Sequence, residues 1–243
     1  MKFIRVLVAI SYLLVVLVNF LANYLPINNQ TTGAVSESYP DLFAPAGLTF
    51  SIWGLIYLLL GFYVLYQFGV FGKVKRSLMD KVGFYFIVSS LANIFWIFSW
   101  HYNQILLSVM FMITLLYSLI KITSVVFRKD KVLSNVFGVY FGWITVALVA
   151  NVTAYLVSIG WKGFGISDSV WTVIMLIVAG LIAIITGLHF KNIPYLLVLV
   201  WAYAGIVYKH VTVFNGEYFS VILTASASIL IFILTIIFIA FKK

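Results

Sequence analysis

Cysteine is absent from the 243 residues, which excludes structural disulfides, thiolate metal sites and thiol nucleophiles and leaves the redox compartment undefined. Charge is also scarce. Asp, Glu, Lys and Arg make up 9% of the chain, against about 25% in an ordinary soluble domain, so most of the surface is not built for water. No Asp or Glu occurs within the long apolar stretches, and the base furthest inside one, Lys121, stands near enough to its end to snorkel to the interface. A charge at mid-membrane costs at least about 2.5 kcal/mol. Lacking one, the chain is a poor candidate for proton-coupled transport and offers no mid-span lysine for a retinal Schiff base. The net charge of +9 does not make a nucleic-acid surface, because the bases sit in short loops between apolar runs instead of clustering on a soluble face.

What the chain does contain is hydrophobic side chains, 64% of it. Runs long enough to cross a hydrocarbon core of roughly 30 Å cover about residues 4–24, 47–70, 82–100, 104–127, 133–159, 169–190, 193–209 and 218–241. In lipid, backbone groups must bond within their own segment or in a closed barrel, and continuous runs without alternation favour helices. The predicted fold class is an all-α integral membrane protein of about eight transmembrane helices. Positive residues stay on the cytoplasmic side. Lys2, Arg5, Lys73, Lys75, Arg76, Lys81, Arg128, Lys129, Lys131, Lys191, Lys242 and Lys243 all fall on one side of an eight-span path, whereas Glu37, Asp41, Asp168 and Glu217, with Lys162 and Lys209, fall on the other. Both termini are therefore expected in the cytoplasm. The first run is too long, and lacks the cleavage pattern, for a signal peptide, and is expected to remain as a helix. Residues 25–46 form the one long polar connection, extracytoplasmic and of the kind that serves as a lid. Within it Asn29-Gln30-Thr31 is a weak glycosylation pattern.

Side chains that carry chemistry are few. His189 ends a run on the cytoplasmic side, while His101 and His210 end runs on the outer side, where two such rings can face each other across a haem or a metal. Without a third ligand the simpler expectation is a pair of solvated interfacial histidines, and no metal site is expected. Aromatic side chains, by contrast, abound: 7 Trp, 15 Tyr and 22 Phe. Trp100, Trp161 and Trp171 fall at the outer interface, where amphipathic rings collect; Trp53, Trp96, Trp143 and Trp201 fall within runs. Trp53, Tyr57 and Gly61 share one helix face, as do Asn93, Trp96 and Trp100, and again Trp143, Ala147 and Asn151. At about 1.5 Å per residue, Trp53, Asn93, Trp96 and Asn151 lie roughly 6–12 Å below the outer surface, with Asn19 beside them. Spacing alone leaves two readings open: amides bonding between helices around a Trp-filled core, or a ligand pocket beneath the long loop.

The stretch Pro45-Ala46-Gly47-Leu48-Thr49-Phe50-Ser51-Ile52-Trp53-Gly54-Leu55-Ile56-Tyr57, followed by Gly61, resembles the signature of the translocator protein family (TspO/MBR, the tryptophan-rich sensory proteins). Leu91-Ala92-Asn93-Ile94-Phe95-Trp96 is similar to its third-helix block, and Trp143, Ala147 and Asn151 are similar to its fifth-helix block. The resemblance covers residues 1 to about 159. It implies a TspO-like five-helix bundle over residues 1–160 with external loop 25–46, extended by three additional transmembrane helices over 161–243. It also implies a pocket for tetrapyrroles, sterols or synthetic ligands lined by Trp53, Tyr57, Asn93, Trp96, Trp143, Ala147 and Asn151, and lidded by a loop containing Phe43 and Pro45. Where the family has adjacent Trp and paired prolines, this chain has Leu42-Phe43-Ala44-Pro45, so the grip on a porphyrin is expected to differ.

The function implied is a receptor or carrier for a flat, largely apolar, tetrapyrrole-like ligand, with a sensory or stress-regulatory role. No cofactor is required, and porphyrin or haem would enter as ligand. The alternatives are a transporter of a neutral or hydrophobic solute, and an enzyme degrading the bound tetrapyrrole. Expected partners are the small molecule and the lipid bilayer, with no nucleic acid. Trp201 to Gly205 could line the same cavity or a second one, and Ser220, Thr224 and Ser228 make a small-residue face suited to close packing within the chain or in a homodimer. Family habit places the chain in a bacterial cell membrane.

Overall fold

Hydrocarbon offers backbone amides no partner, so each apolar run must close its own hydrogen bonds as a helix. The computed structural model, which describes residues 2–72 and 74–242, does this throughout. Eight of its helices are long and apolar enough to cross a membrane. They are α1 (Lys2–Tyr24), α3 (Ile52–Gln67) together with the 3-10 turn Gly47–Ser51 that leads into it, α4 (Arg76–His101), α5 (Ile105–Val126), α6 (Lys131–Ser158), α7 (Asp168–Phe190), α8 (Ile193–Thr212) and α9 (Phe219–Phe241); the ninth α-helix among the described residues, α2 (Thr32–Glu37), is a short one in the long first connection. Lys73 and Lys243, counted among the bases of one side, lie outside the described residues.

The sequence-derived spans match these helices with one marked shift. α4 begins at Arg76 rather than near residue 82, because Leu78 and Met79 are buried in the core and carry the helical face on beneath the charged residues around them. Asp80 and Lys81 therefore lie within the helix instead of in a loop. Elsewhere local chemistry sets the ends. The Asp130 side chain accepts the Leu133 amide at the start of α6. At the start of α8 the Asn192 side chain accepts the Tyr195 amide, with Pro194 in the first turn, where its missing N–H costs nothing.

α4 packs between α1 and α5, and α6 packs against α5, α3 and α8, while α9 leans on both α8 and α7. α8 is thus tied to the first half of the chain. Asn192 Nδ2 donates to the carbonyl of Ser134 on α6 at 2.7 Å, and two turns further in, the α6 surface is reduced to Gly142. A Cβ there would stand 2.7 Å from the Tyr195 carbonyl and 2.9 Å from Val198 Cβ, both on α8. Close backbone approach through a small residue is the ordinary way for membrane helices to gain packing, since lipid supplies no hydrophobic drive between them.

Gly142→Val should therefore destabilise the detergent-solubilised protein by about 1–3 kcal/mol through overpacking. Thermal unfolding followed by circular dichroism reads the effect, and Gly54→Ala, where an added Cβ meets nothing within 4 Å, should leave the midpoint unchanged or raise it.

Candidate ligand pocket

Three helices bring aromatic rings to the end of the bundle that carries the long connection. Trp53, in the first turn of α3, stands at their centre. The ring of Tyr57, one turn on, stacks against it at 5.6 Å; Trp96 of α4 stacks at 6.4 Å; Tyr140 and Trp143 of α6 meet it edge-on at 5.9 and 6.2 Å. Trp100 continues the stack from Trp96 at 6.1 Å. Offset and edge-to-face pairs of this kind each contribute about 0.5–1.5 kcal/mol beyond area burial, so the cluster is well held.

Amides set the ring orientations. Trp96 Nε1 donates to Asn151 Oδ1 at 3.1 Å, and Asn151 Nδ2 donates to Ser108 Oγ on α5 at 2.8 Å. Asn19 Nδ2 of α1 donates to Asn93 Oδ1 of α4 at 2.6 Å. The two readings left open by the sequence thus divide between the amides: the Asn19–Asn93 pair stitches helices together, whereas Asn151 both stitches and faces a cavity.

That cavity is lined by Trp53, Trp96, Trp143, Ala147, Asn151 and Pro45, all singled out from the sequence, and also by Thr32, Ser36, Phe50, Trp100, Val146 and Ala150. Tyr57 stands outside the wall, behind Trp53. Asn93 is wholly buried among helices, and Phe43 lines a separate cleft between α6 and α7. Trp100, expected only as a ring near the outer interface, is 5% exposed and joins the wall, with its Nε1 donating to the Thr32 carbonyl. Its i+4 spacing from Trp96 was the available signal. Trp201, a candidate for either cavity, lines neither and donates its Nε1 to the Thr49 carbonyl at 3.0 Å. The volume is about 40 Å³, room for a few waters and far below the roughly 300–1,000 Å³ of a drug-sized site. The state seen is closed.

The cover is built in two parts with different anchors. α2 is held to the end of α4 by the Trp100 contact, by Asn28 Nδ2 donating to the His101 carbonyl at 2.9 Å, and by Tyr39 Oη donating to Asn103 Oδ1 at 3.1 Å. The strap from Asp41 to Thr49 is held instead by α8. Lys209 Nζ donates to the carbonyls of Asp41 and Ala44 at 3.2 and 3.0 Å, His210 Nε2 donates to that of Leu42 at 2.9 Å, and the Ala46 amide donates to the Gly205 carbonyl at 3.2 Å. Gly205 permits this approach, since a Cβ there would collide with the Thr49 side chain. Burial pushes the Asp41 carboxyl above its usual range, opposed by the amides of Ala44 and Phe43 and the nearby charge of Lys209.

The two histidines correct the expectation of solvated side chains. Both are fully buried; His101 Nδ1 donates to the Ile97 carbonyl at 2.8 Å and His210 to the strap. The His210 ring anchors the strap, whereas the His101 ring bonds within its own helix and it is its backbone carbonyl that Asn28 reaches.

Lys209→Met keeps the packed stem but removes two charge-assisted hydrogen bonds, each worth about 1.5–3 kcal/mol. Hydrogen exchange of the amides of residues 41–44 and 46 should accelerate roughly tenfold or more, while that of α4 and α5 stays unchanged; an equal response along the whole chain would mean that Lys209 supports the bundle rather than the strap.

A family model described as TSPO-like protein matches residues 5–239, and so runs through all eight long helices. No curated protein and no solved structure gave a significant match.

Proposed function

The chain belongs to the TSPO-like protein family, and from that membership and the pocket's make-up we propose that it is a membrane receptor or carrier which stacks a flat, largely apolar, tetrapyrrole-like ligand among Trp53, Trp96, Trp100 and Trp143. The observation that carries the reading is the Trp143 indole. Its Nε1 is buried without a hydrogen-bond partner among the described residues, although the residue lines the cavity. An unmet buried donor costs about 1–3 kcal/mol, and a ligand acceptor at this point would remove that cost. The wall carries no charged side chain, so carboxylates on a ligand would stay at the mouth, near the strap. Ligand entry then requires a state with the strap lifted, which binding populates at the expense of the closed one.

The ligand reading is tested by titrating purified protein with protoporphyrin IX and following tryptophan fluorescence. Saturable quenching is expected, weakened about fivefold by Trp143→Phe, which removes one donor, and lost in Ala150→Phe, which fills the cavity. Equal binding by the folded Ala150→Phe protein would remove the pocket from the proposal.

The positive-inside pattern supports the cell membrane as location, with both termini cytoplasmic and the strap outside. Because the natural chain has no cysteine, single substitutions report topology cleanly. Asn215→Cys should react with an impermeant maleimide on intact cells and Lys129→Cys only after lysis; the reverse pattern would invert the orientation.

A further inference from the structure

The cleft between α6 and α7 is distinct from the aromatic pocket. In its loop-end half α6 turns Ala147, Ala150 and Asn151 toward the pocket, and Val152, Leu156 and Val157 toward the cleft. The strap divides them too, with Pro45 on the pocket side and Pro40 through Phe43 on the other. At about 600 Å³ the cleft has the volume of an ordinary small-molecule site, which the pocket in its closed state lacks.

Its walls change character with depth. Val152 and Leu156 on α6 and Met175 on α7 make the part furthest into the bundle, and the loop end carries Trp161, Trp171 and Tyr218 with three charged groups. Trp161 and Trp171 lie 5.1 Å apart, and Trp171 Nε1 donates to the Gly163 carbonyl at 2.8 Å, which fixes the ring. The charges are the carboxylates of Asp41 and Asp168 and the ammonium of Lys162. Oδ1 of Asp41 accepts the amides of Phe43 and Ala44, and Lys209 bonds the strap carbonyls. The cleft lining thus holds two carboxylates to one ammonium, beside electron-rich ring faces that attract organic cations.

We propose that this cleft is a second ligand site, taking an alkylammonium amphiphile whose cationic head sits between Asp168 and the rings of Trp161 and Trp171, with its chain along Val152, Leu156 and Met175. The same chemistry has two sources. One is a zwitterionic lipid bearing a primary ammonium, whose phosphate meets Lys162; the other is a free lipophilic amine.

Full-length protein in phosphatidylglycerol nanodiscs is titrated calorimetrically with octylammonium, and protein from phosphatidylethanolamine-containing nanodiscs is assayed for retained lipid by native mass spectrometry. Saturable octylammonium binding, weakened about fivefold by Asp168→Asn and lost in Thr153→Trp, which fills the cleft, supports the site with a free amine as source. Selective retention of phosphatidylethanolamine, lost in the same variant, supports it with lipid as source. Met175→Trp replaces Thr153→Trp if the latter misfolds by circular dichroism. Neither ligand bound by folded wild-type protein, or binding undiminished by the filled cleft, overturns the proposal. Ala150→Phe, which closes the aromatic pocket, should leave octylammonium binding intact, so failure of one site is separable from failure of the other.

Discussion

The strap from Asp41 to Thr49 lies between the two cavities of this molecule, and what holds it is a set of carbonyl groups that α8 satisfies. A polar segment brought down against a helical bundle must find partners for its own backbone, because few waters reach it and each unmet group is costly. Lys209 and His210 provide donors, Gly205 provides a bare carbonyl and the room to reach it, and Trp201 caps the far end at Thr49. Through these contacts the last third of the chain takes part in closing a pocket whose walls come from the first two thirds.

The same strap gives the two cavities their opposite characters. On one side it presses Pro45 and Phe50 onto a wall of tryptophans and leaves almost no free volume; on the other its acidic end faces an open cleft with charged residues at its mouth. Within the pocket, ring stacking and the hydrogen bonds of the Asn151 amide with Trp96 and the Ser108 hydroxyl fix the geometry of the wall.

Much of this was legible from composition and spacing. Charge scarcity and run length set the class and the number of helices; spacing of three and four put Trp143, Ala147 and Asn151 on one face, helical rise put Trp53, Asn93, Trp96 and Asn151 at a similar depth, and all of these but Asn93 share one wall. The reason is local: helical periodicity and rise are properties of the backbone, and a bilayer forbids most alternatives to it. The start of α4 was misjudged because polar residues at a membrane surface hide a helix whose buried face continues, as Leu78 and Met79 show.

Tertiary structure alone decided the rest. No pattern within α8 announces that Lys209 and His210 reach back about 170 residues to the strap, since that contact depends on α8 packing along α6. Periodicity could not tell Asn93, sealed against Asn19, from Asn151, open to the cavity, because both sit on inward faces and differ only in what lies opposite. Periodicity did put Trp100 on the face of Trp96, but only the tertiary fold shows that α2 closes over the ring and so makes it part of the pocket wall. The sequence by itself determined which faces turn inward, through the geometry of single helices. Which inward faces meet, and which leave a space between them, followed from how the helices pack.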